Sequence, residues 1–441
     1  MSSRTSALRF RRPHLRTVWL RPGFLVAVFL AAGAARAASP TATPVGPVQP
    51  VAPVAAAPVA TDPGEVEDQE WKFVTRLSLA AGYDDNLFIQ PSGGKDDYFL
   101  RIAPSFAIGI GYFRTEIAPF APIPHLLART GEEDLPRKNF AFASYTPNAV
   151  LFSKYSHENA LNHDFRAAAR KDREIWAAQG EFHFQQVTDT EIELGRRTRQ
   201  TYYDANARGL RQLTGKIAGT LGVQEMYSDF SGGLWSSDTR GSAGLDYQVG
   251  GKTKIGGGVT GGYLQVARGG NQTYQQPFVR LEYLPTGKLS FTGRFGAEFR
   301  QFDSDVGDRS RFVYDLTGEY RPADGTLLSL SSRRDTQASA QFADENILEN
   351  FYQGSLRQRF LQRTYVSLAG GLVRRTYEQN RTVTPPFARR DHYYFGRVSA
   401  SRDVTEHGTV ELGYEHREND SSLSTFDFSQ NVATLSASFL F

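Results

Sequence analysis

Alternation is the feature that most restricts what this chain can become. In the closing segment from Asp427 to Phe441, Ala433, Leu435, Ala437, Phe439 and Phe441 fall on one side of an extended backbone, with Thr434, Ser436 and Ser438 on the other. That is the period of two of a strand. A strand that is apolar on one face only is either the edge of a soluble sandwich or a stave of a membrane barrel. Upstream segments repeat the pattern. Between Lys288 and Phe302, Leu289, Phe291, Phe295 and Phe299 alternate with Ser290, Thr292, Arg294, Glu298 and Arg300. Between Arg311 and Arg321, Phe312, Tyr314, Leu316 and Tyr320 alternate with Val313, Asp315, Thr317, Glu319 and Arg321. Both segments exceed the roughly 9–11 residues that a tilted strand needs to cross a bilayer.

The connections decide between the two architectures. Short turns are expected at Thr188-Asp189-Thr190, Thr214-Gly215-Lys216, Gly250-Gly251-Lys252, Pro285-Thr286-Gly287, Pro322 to Gly325 and Glu406-His407-Gly408, where Gly, Pro and Asp supply turn dihedrals. Between them lie longer polar links at Ser228 to Ser236, Arg268 to Thr273, Asp303 to Arg309, Asp335 to Glu345, Glu378 to Arg390 and Glu418 to Thr425. Short and long connections take turns, as in a membrane barrel with tight periplasmic turns and longer external loops. The expected fold is therefore all-β: a transmembrane antiparallel up-and-down β-barrel of about eighteen strands, with sixteen to twenty allowed. Lys138 to His157 reads either as one strand or as a pair around Thr146-Pro147-Asn148. A barrel of this size has a lumen too wide for side chains alone to fill.

Three segments divide the chain. Residues 1–37 have a basic start (Arg4, Arg9, Arg11, Arg12, Arg16, Arg21), a short apolar run from Phe24 to Ala35, and Ala35-Arg36-Ala37 as a small-residue cleavage site, the pattern of a secretory signal peptide. Residues 38–70, rich in Ala and Pro, read as a flexible periplasmic leader, and residues 71–441 as the barrel. Loss of the signal removes seven arginines and no acids, so a net charge of +3 becomes −4, from 43 basic against 47 acidic residues. The remaining chain lacks the cation excess that nucleic-acid binding requires. Absence of cysteine rules out disulfides, thiolate chemistry and a lipidated cysteine after the signal. A mean hydropathy of −0.42 suits strands with one wet face and not a bundle of apolar helices.

Few short motifs carry chemistry. Gly256 to Gly261 formally matches GxGxxG but sits in strand-like sequence, where a dinucleotide fingerprint needs a helix to follow. Asn271-Gln-Thr273 and Asn380-Arg-Thr382 are chance sequons. Ser153, His157 and His163 are the nearest approach to a hydrolase constellation, without an orienting third group at a strand-compatible offset; no enzyme activity, cofactor or metal is expected. The opening strand and loop read Gly82-Tyr83-Asp84-Asp85-Asn86-Leu87-Phe88, followed by Asp96-Asp97-Tyr98 and Ile102-Ala-Pro104. The bland reading is a loop-entry turn held by Asp and Asn side chains. The other is an oxygen-rich cation site, whose spacing does not match an EF-hand.

This run, with Gly82, Tyr83, Asp84 and Asn86 at its centre, resembles the β-barrel porin type 2 family of bacterial outer-membrane barrels, often found with exopolysaccharide export genes. The resemblance implies a channel associated with polysaccharide export. A general diffusion porin, and a non-conducting scaffold in an export complex, are the alternatives. It also implies outer-membrane lipid and lipopolysaccharide, the barrel-assembly machinery, polysaccharide and periplasmic export components as partners, with Phe439 and Phe441 as a terminal insertion signal. Alternation itself nominates the lumen-facing set: Arg197, Arg199, Arg280, Glu282, Arg294, Glu298, Arg300, Asp315, Glu319, Arg321, Arg357, Arg359, Glu411, Glu415 and Arg417. A wall of mixed sign suits neutral or weakly charged sugars and selects weakly among ions.

Overall fold

The computed structural model describes residues 71–441 apart from 112–138, 269, 304–306, 343–344 and 379–388. The expected signal peptide, the leader, the proline-rich stretch Pro119 to Pro136 and the Asn380 sequon lie outside the described residues. The strands are β1 Lys72–Asp84, β2 Asp97–Gly111, β3 Phe140–Phe152, β4 Ala160–Asp172, β5 Trp176–Glu191 and β6 Arg196–Gln212. They continue as β7 Ile217–Phe230, β8 Trp235–Gly250, β9 Thr253–Val266, β10 Gln272–Thr286, β11 Leu289–Phe302 and β12 Arg309–Tyr320. The last six are β13 Thr326–Ala338, β14 Asn346–Leu361, β15 Thr364–Tyr377, β16 Arg390–Asp403, β17 Gly408–Ser421 and β18 Phe428–Leu440. Each pairs antiparallel with the next, and β18 pairs back onto β1 through Leu79↔Ala437 and Tyr83↔Ala433. The eighteen-stranded sheet is closed, so no row of backbone donors is left at an edge.

Closure turns alternation into an inside and an outside. The outer face carries exposed Leu100, Phe106, Leu221, Leu245, Val279, Leu330, Leu368, Leu412 and Leu435. Aromatic rings bound this apolar band at both ends. At the end where β1 begins and β18 finishes, here the proximal end, stand Phe73, Tyr247, Tyr283, Tyr320, Phe360 and Phe441. Toward the distal end Tyr83 and Tyr98 lie 5.0 Å apart, and Tyr203 and Tyr227 stack at 4.9 Å. Apolar staves between two aromatic girdles are what a barrel presents to a bilayer. No helix among the described residues is long and apolar enough to cross a membrane.

Apart from residues 112–139, which join β2 to β3 at the proximal end, the connections sort by end. Tight turns at 173–175, 213–216, 251–252, 287–288, 321–325, 362–363 and 404–407 lie at the proximal end, and links such as 85–96, 339–345 and 378–389 at the distal end. Gly325 makes its turn at φ +83°, where a Cβ would come within 2.7 Å of Arg359; only glycine takes that dihedral without strain. One expected turn is misplaced. Thr188, Asp189 and Thr190 are inside β5, paired with Arg199, Thr198 and Arg197, and the reversal falls at 192–195. The residues are good turn formers, but they also continue the alternation, and cross-strand pairing prevails. Lys138 to His157 yields one strand. Pro147 sits inside β3 where the ladder with β2 is interrupted between Ile102↔Ala149 and Phe106↔Tyr145, the interval that also holds Pro104. Neither proline has an N–H to contribute, and Thr146 Oγ1 bridges the gap by donating to Ser105 Oγ at 2.9 Å.

Candidate functional site: the distal mouth of the barrel

The longest strands build the site. β5 and β6 run 16 and 17 residues, and their outer neighbours do not follow them to the end. Pairing with β4 stops at Gln186 and pairing with β7 stops at Gln200. Beyond those points the hairpin leaves the strand ladder and keeps only flanking contacts, Thr188 N donating to Asn162 at 2.9 Å and Thr198 and Arg196 to the Ser231 and Gly232 carbonyls at 2.7 and 2.9 Å. Its tip meets the opposite side: Ile192 packs with Phe351, Val373, Tyr393 and Phe428, on β14, β15, β16 and β18. In a closed ring of eighteen, β14 and β15 stand nine strands from β5 and β6. The tip has therefore crossed the mouth. The five steps from Val187 to Ile192 supply roughly 17 Å of that span, and the inward side chains opposite supply the rest. Full burial of Ile192 contributes about 1.5–3 kcal/mol toward holding the tip there.

Polar contacts fix the tip at several points. Glu193 accepts from Ser339 Oγ at 2.5 Å, Ala340 N at 2.9 Å and Gln341 N at 3.2 Å, all in the 339–345 link. Arg389 donates to the Glu193 carbonyl at 2.8 Å and the Ile192 carbonyl at 3.0 Å. Arg389 is itself held by Asp391 at 2.6 Å and lies 3.5 Å over the Phe426 ring. Burial pushes the Glu193 carboxyl up to about 6 against the pull of the Ser339 and Ala340 hydrogen bonds. Nearby Glu345 is pushed up to about 8 by burial and by the charges of Glu193 and Glu378. Glu378 in turn pairs with Arg309 and Arg311.

A second insert enters over the β1–β2 link. Leu87 packs inside the barrel with Phe99, Val150, Phe152 and Val432, and Ile89 joins the cluster around Ile192. Ile89 has φ +47°, a conformation that costs a β-branched residue of order 1–3 kcal/mol and persists only where surrounding packing dictates it. The Gly82 to Asn86 run supports this insert. Asp84 accepts from Gln430 Nε2 at 2.8 Å and from Asn86 N at 2.9 Å, and Asn86 Nδ2 donates to the carbonyls of Gln90 and Ser429, both at 2.9 Å. Asp97 accepts from Lys154 N at 2.9 Å and Tyr155 N at 2.8 Å. The motif's oxygens are thus engaged by loop backbone and side chains. Gly82 faces inward beneath the Phe99 ring, which a Cβ would strike at 2.2 Å; Tyr83 faces outward beside Tyr98. Among the described residues no group of three or more His, Asp or Glu could hold a metal ion.

Register places the charged set. Arg280, Glu282, Arg294, Glu298, Arg300, Asp315, Glu319, Arg357, Arg359, Glu411, Glu415 and Arg417 share the inward face with buried Gln272, Tyr274, Phe351 and Tyr393. Arg300 grips Glu298 at 2.8 Å, Arg417 grips Glu415 at 2.5 Å, and Arg397 grips Glu411 at 2.9 Å. Arg280 pairs with Asp246, and Lys254 with Glu282. Arg321 follows β12 at the proximal turn, 62% exposed, and pairs with Glu319 at 2.7 Å. Arg199 is a correction. Glu191 pairs with Arg196, so odd positions on β5 face even positions on β6, and inward Asp189 meets Thr198 and not an arginine. Arg199 bonds Gln186 at 2.5 Å on the outer face, whereas Arg197, past the point where the hairpin leaves the ladder, lies 4.8 Å over the inward Phe152 ring and meets Glu158 at 3.2 Å within the mouth. The hydrolase trio does not assemble: His163 bonds the Tyr145 hydroxyl at 2.8 Å and His157 meets Glu158 at 3.7 Å.

A closed antiparallel barrel with an apolar belt outside, an ion-paired polar wall inside and two inserts across one mouth belongs to the class of porin-like membrane β-barrels. Among solved structures it is similar to Pseudomonas aeruginosa OpdK with vanillate (12% identity, TM-score 0.41, covering 84% of this chain and 99% of that one). It is similar too to Acinetobacter baumannii OccAB4 (12%, TM-score 0.44, 84% and 98%) and Pseudomonas aeruginosa OccK2 (10%, TM-score 0.44, 84% and 98%). No protein-family model and no curated protein matches the chain.

Proposed function

We propose that this chain is a gated channel of the bacterial outer membrane, shut at its extracellular mouth by the 192–195 tip and the 85–96 insert. The observation that carries this reading is the contrast along one wall: most inward charged residues are buried at the distal end and half-open at the proximal end, Asp246 beneath Arg280 being an exception. A barrel whose only task was to be a rigid post would have no use for an accessible ion-paired vestibule. Tight turns mark the periplasmic side and longer links the exterior, so the vestibule opens to the periplasm. That orientation suits outward passage. The mixed-sign wall favours hydrogen-bonding cargo of low net charge, and the resemblance of Gly82 to Pro104 to polysaccharide-associated porins makes an exopolysaccharide the preferred cargo.

Planar-bilayer conductance tests the channel. Intact protein should conduct rarely and in brief openings; replacing 191–196 by a two-residue Asn-Gly turn and shortening 85–96 should give long-lived openings of nanosiemens scale. A doubly shortened barrel that is folded yet silent would leave the scaffold as the better reading. Block of the shortened channel by neutral oligosaccharides, added from the periplasmic side, tests the cargo separately.

A further inference from the structure

Two arginines on the outside of the barrel lack what their neighbours on the inside possess. Arg333 on β13 and Arg375 on β15 point inward and share Glu349 of β14 between them, at 3.1 and 2.9 Å. One residue along each strand the arrangement repeats on the outer face, where Arg334 pairs across to Asn350 and Asn350 to Arg374. The middle position is now a neutral amide. Among the described residues neither Arg334 nor Arg374 has a carboxylate within ion-pair distance, and Arg334 Nε is buried without a hydrogen-bond partner. The two stand two strands apart, roughly 10 Å between Cα atoms.

Their height on the wall is informative. Their cross-strand row climbs toward the distal end, from Phe295, seven residues short of the end of β11, through Tyr314 to Arg334 and Arg374, four and three residues short of the ends of β13 and β15, and Tyr352 and Tyr394 lie in the next row toward the membrane. Tyr352 hydrogen-bonds Tyr314 within electrostatic reach of both guanidiniums. Leu316 shares the row of Tyr352 and Tyr394, and below it the outer face is Leu330, Leu356 and Leu368. The arginines therefore sit just above the distal aromatic girdle, at the level of lipid headgroups. On the far side the row ends in His392 and then Asp420 of β17, which bounds the positive patch.

Resting on the outer-membrane orientation proposed above, we infer that Arg334, Asn350 and Arg374 form a binding site for the phosphates of lipid A in the outer leaflet. Guanidinium forks match phosphate oxygens two at a time. The Asn350 amide between them adds a neutral donor. A lipid bearing phosphate on a saccharide headgroup brings several hydroxyls to the tyrosine row below.

Native mass spectrometry of the full chain in detergent, titrated with bis-phosphorylated lipid A, dephosphorylated lipid A or phosphatidylglycerol, tests the site. Tightest binding is expected for the phosphorylated form, with about tenfold loss for each of Arg334→Gln and Arg374→Gln. Arg402→Gln, an outward arginine at the proximal end paired across to Thr364, should change nothing. Equal binding of the two lipid A forms, equal binding of phosphatidylglycerol, or an unaltered double variant would overturn the assignment. Membrane fractionation of the same samples keeps the two readings apart: a heat-modifiable barrel in the outer membrane that ignores lipid A defeats this site alone, while absence from that membrane defeats the orientation beneath it.

Discussion

The two halves of the barrel interior are built from the same alternation and yet have different surroundings. At the distal half Glu298, Arg300, Glu349, Arg375, Glu415 and Arg417 are buried, alongside Gln200, Gln272 and Gln430. Glu282, Arg294, Asp315, Glu319, Arg357 and Glu411 are on the same face nearer the proximal end and stay partly open. Strand, face and residue type are shared; what differs is whether anything stands opposite. In a ring of eighteen the wall alone cannot fill the middle. Burial at the mouth comes from the tip and the 85–96 insert, so the distal half packs like a protein core while the proximal half remains a wet cavity. Stability of the wall and closure of the mouth should therefore be separable.

The strongest test of that separation is Arg389→Ala. It strips donors from the Ile192 and Glu193 carbonyls and leaves Asp391 buried without its ion partner, held only by the Ser421 and Tyr377 hydroxyls, a loss of up to about 3–5 kcal/mol for a buried pair. Fast amide exchange should appear over 189–198, with the heat-modifiable barrel retained. Unchanged protection there would show that the mouth is not an independent unit.

The wall has its own test. Phe295 faces outward at mid-strand and Thr292 inward. An arginine at Phe295 should destabilise the barrel by about 2–4 kcal/mol in denaturant titrations in lipid, and an arginine at Thr292 should be nearly silent. Neither should alter exchange at the tip. Comparable losses at the two positions would reverse the assignment of faces.

Acidity acts on the mouth. Glu193 and Glu345 hold their protons more tightly when closed, with carboxyl values raised from 4.5 to about 6 and about 8. Closure is thus fully favoured below about pH 4.5 and weakens as pH rises through those values. For Glu193 the shift corresponds to roughly 2 kcal/mol. Open probability in planar bilayers should climb between pH 4.5 and 8, and Glu345→Gln should flatten the upper part of that rise. A flat profile in the unaltered protein would detach these carboxylates from gating.

What the sequence disclosed and what it hid divide along the same line. Strands such as Leu289–Phe302 and turns such as Gly251–Lys252 were legible because alternation and turn chemistry are local. Closure of β18 onto β1 follows once an apolar face has nowhere else to go. The tip was not legible. Ile192-Glu193-Leu194 reads as more strand, and the reason it stops there is Phe351 and Val373, about 160 residues and half a circumference away. Arg199 was misassigned for a connected reason: with the reversal placed at Thr188 to Thr190, nothing signals the exchange of odd for even positions that the 192–195 tip imposes. The Gly82 to Asn86 motif was legible as a loop entry, but not as the support for an insert, since its partners Ser429 and Gln430 are at the other end of the chain.

The smallest expected effect checks that correction. Arg199 lies on the outer face bonded to Gln186, so Arg199→Gln should cost under about 1 kcal/mol, as for other exposed charged contacts. It removes a charge that no permeating ion passes closely. Glu411 is inward, within 2.9 Å of Arg397 in the open half, and Glu411→Gln leaves that guanidinium only its longer contact to Glu415 at 3.7 Å, with one negative charge fewer where ions must pass. In a channel shortened at the mouth, reversal potentials under a salt gradient should move toward anion preference for Glu411→Gln and stay put for Arg199→Gln. An equal displacement by Arg199→Gln would return that residue to the lumen and with it the odd-numbered face of β6, which the pairing of Asp189 with Thr198 forbids.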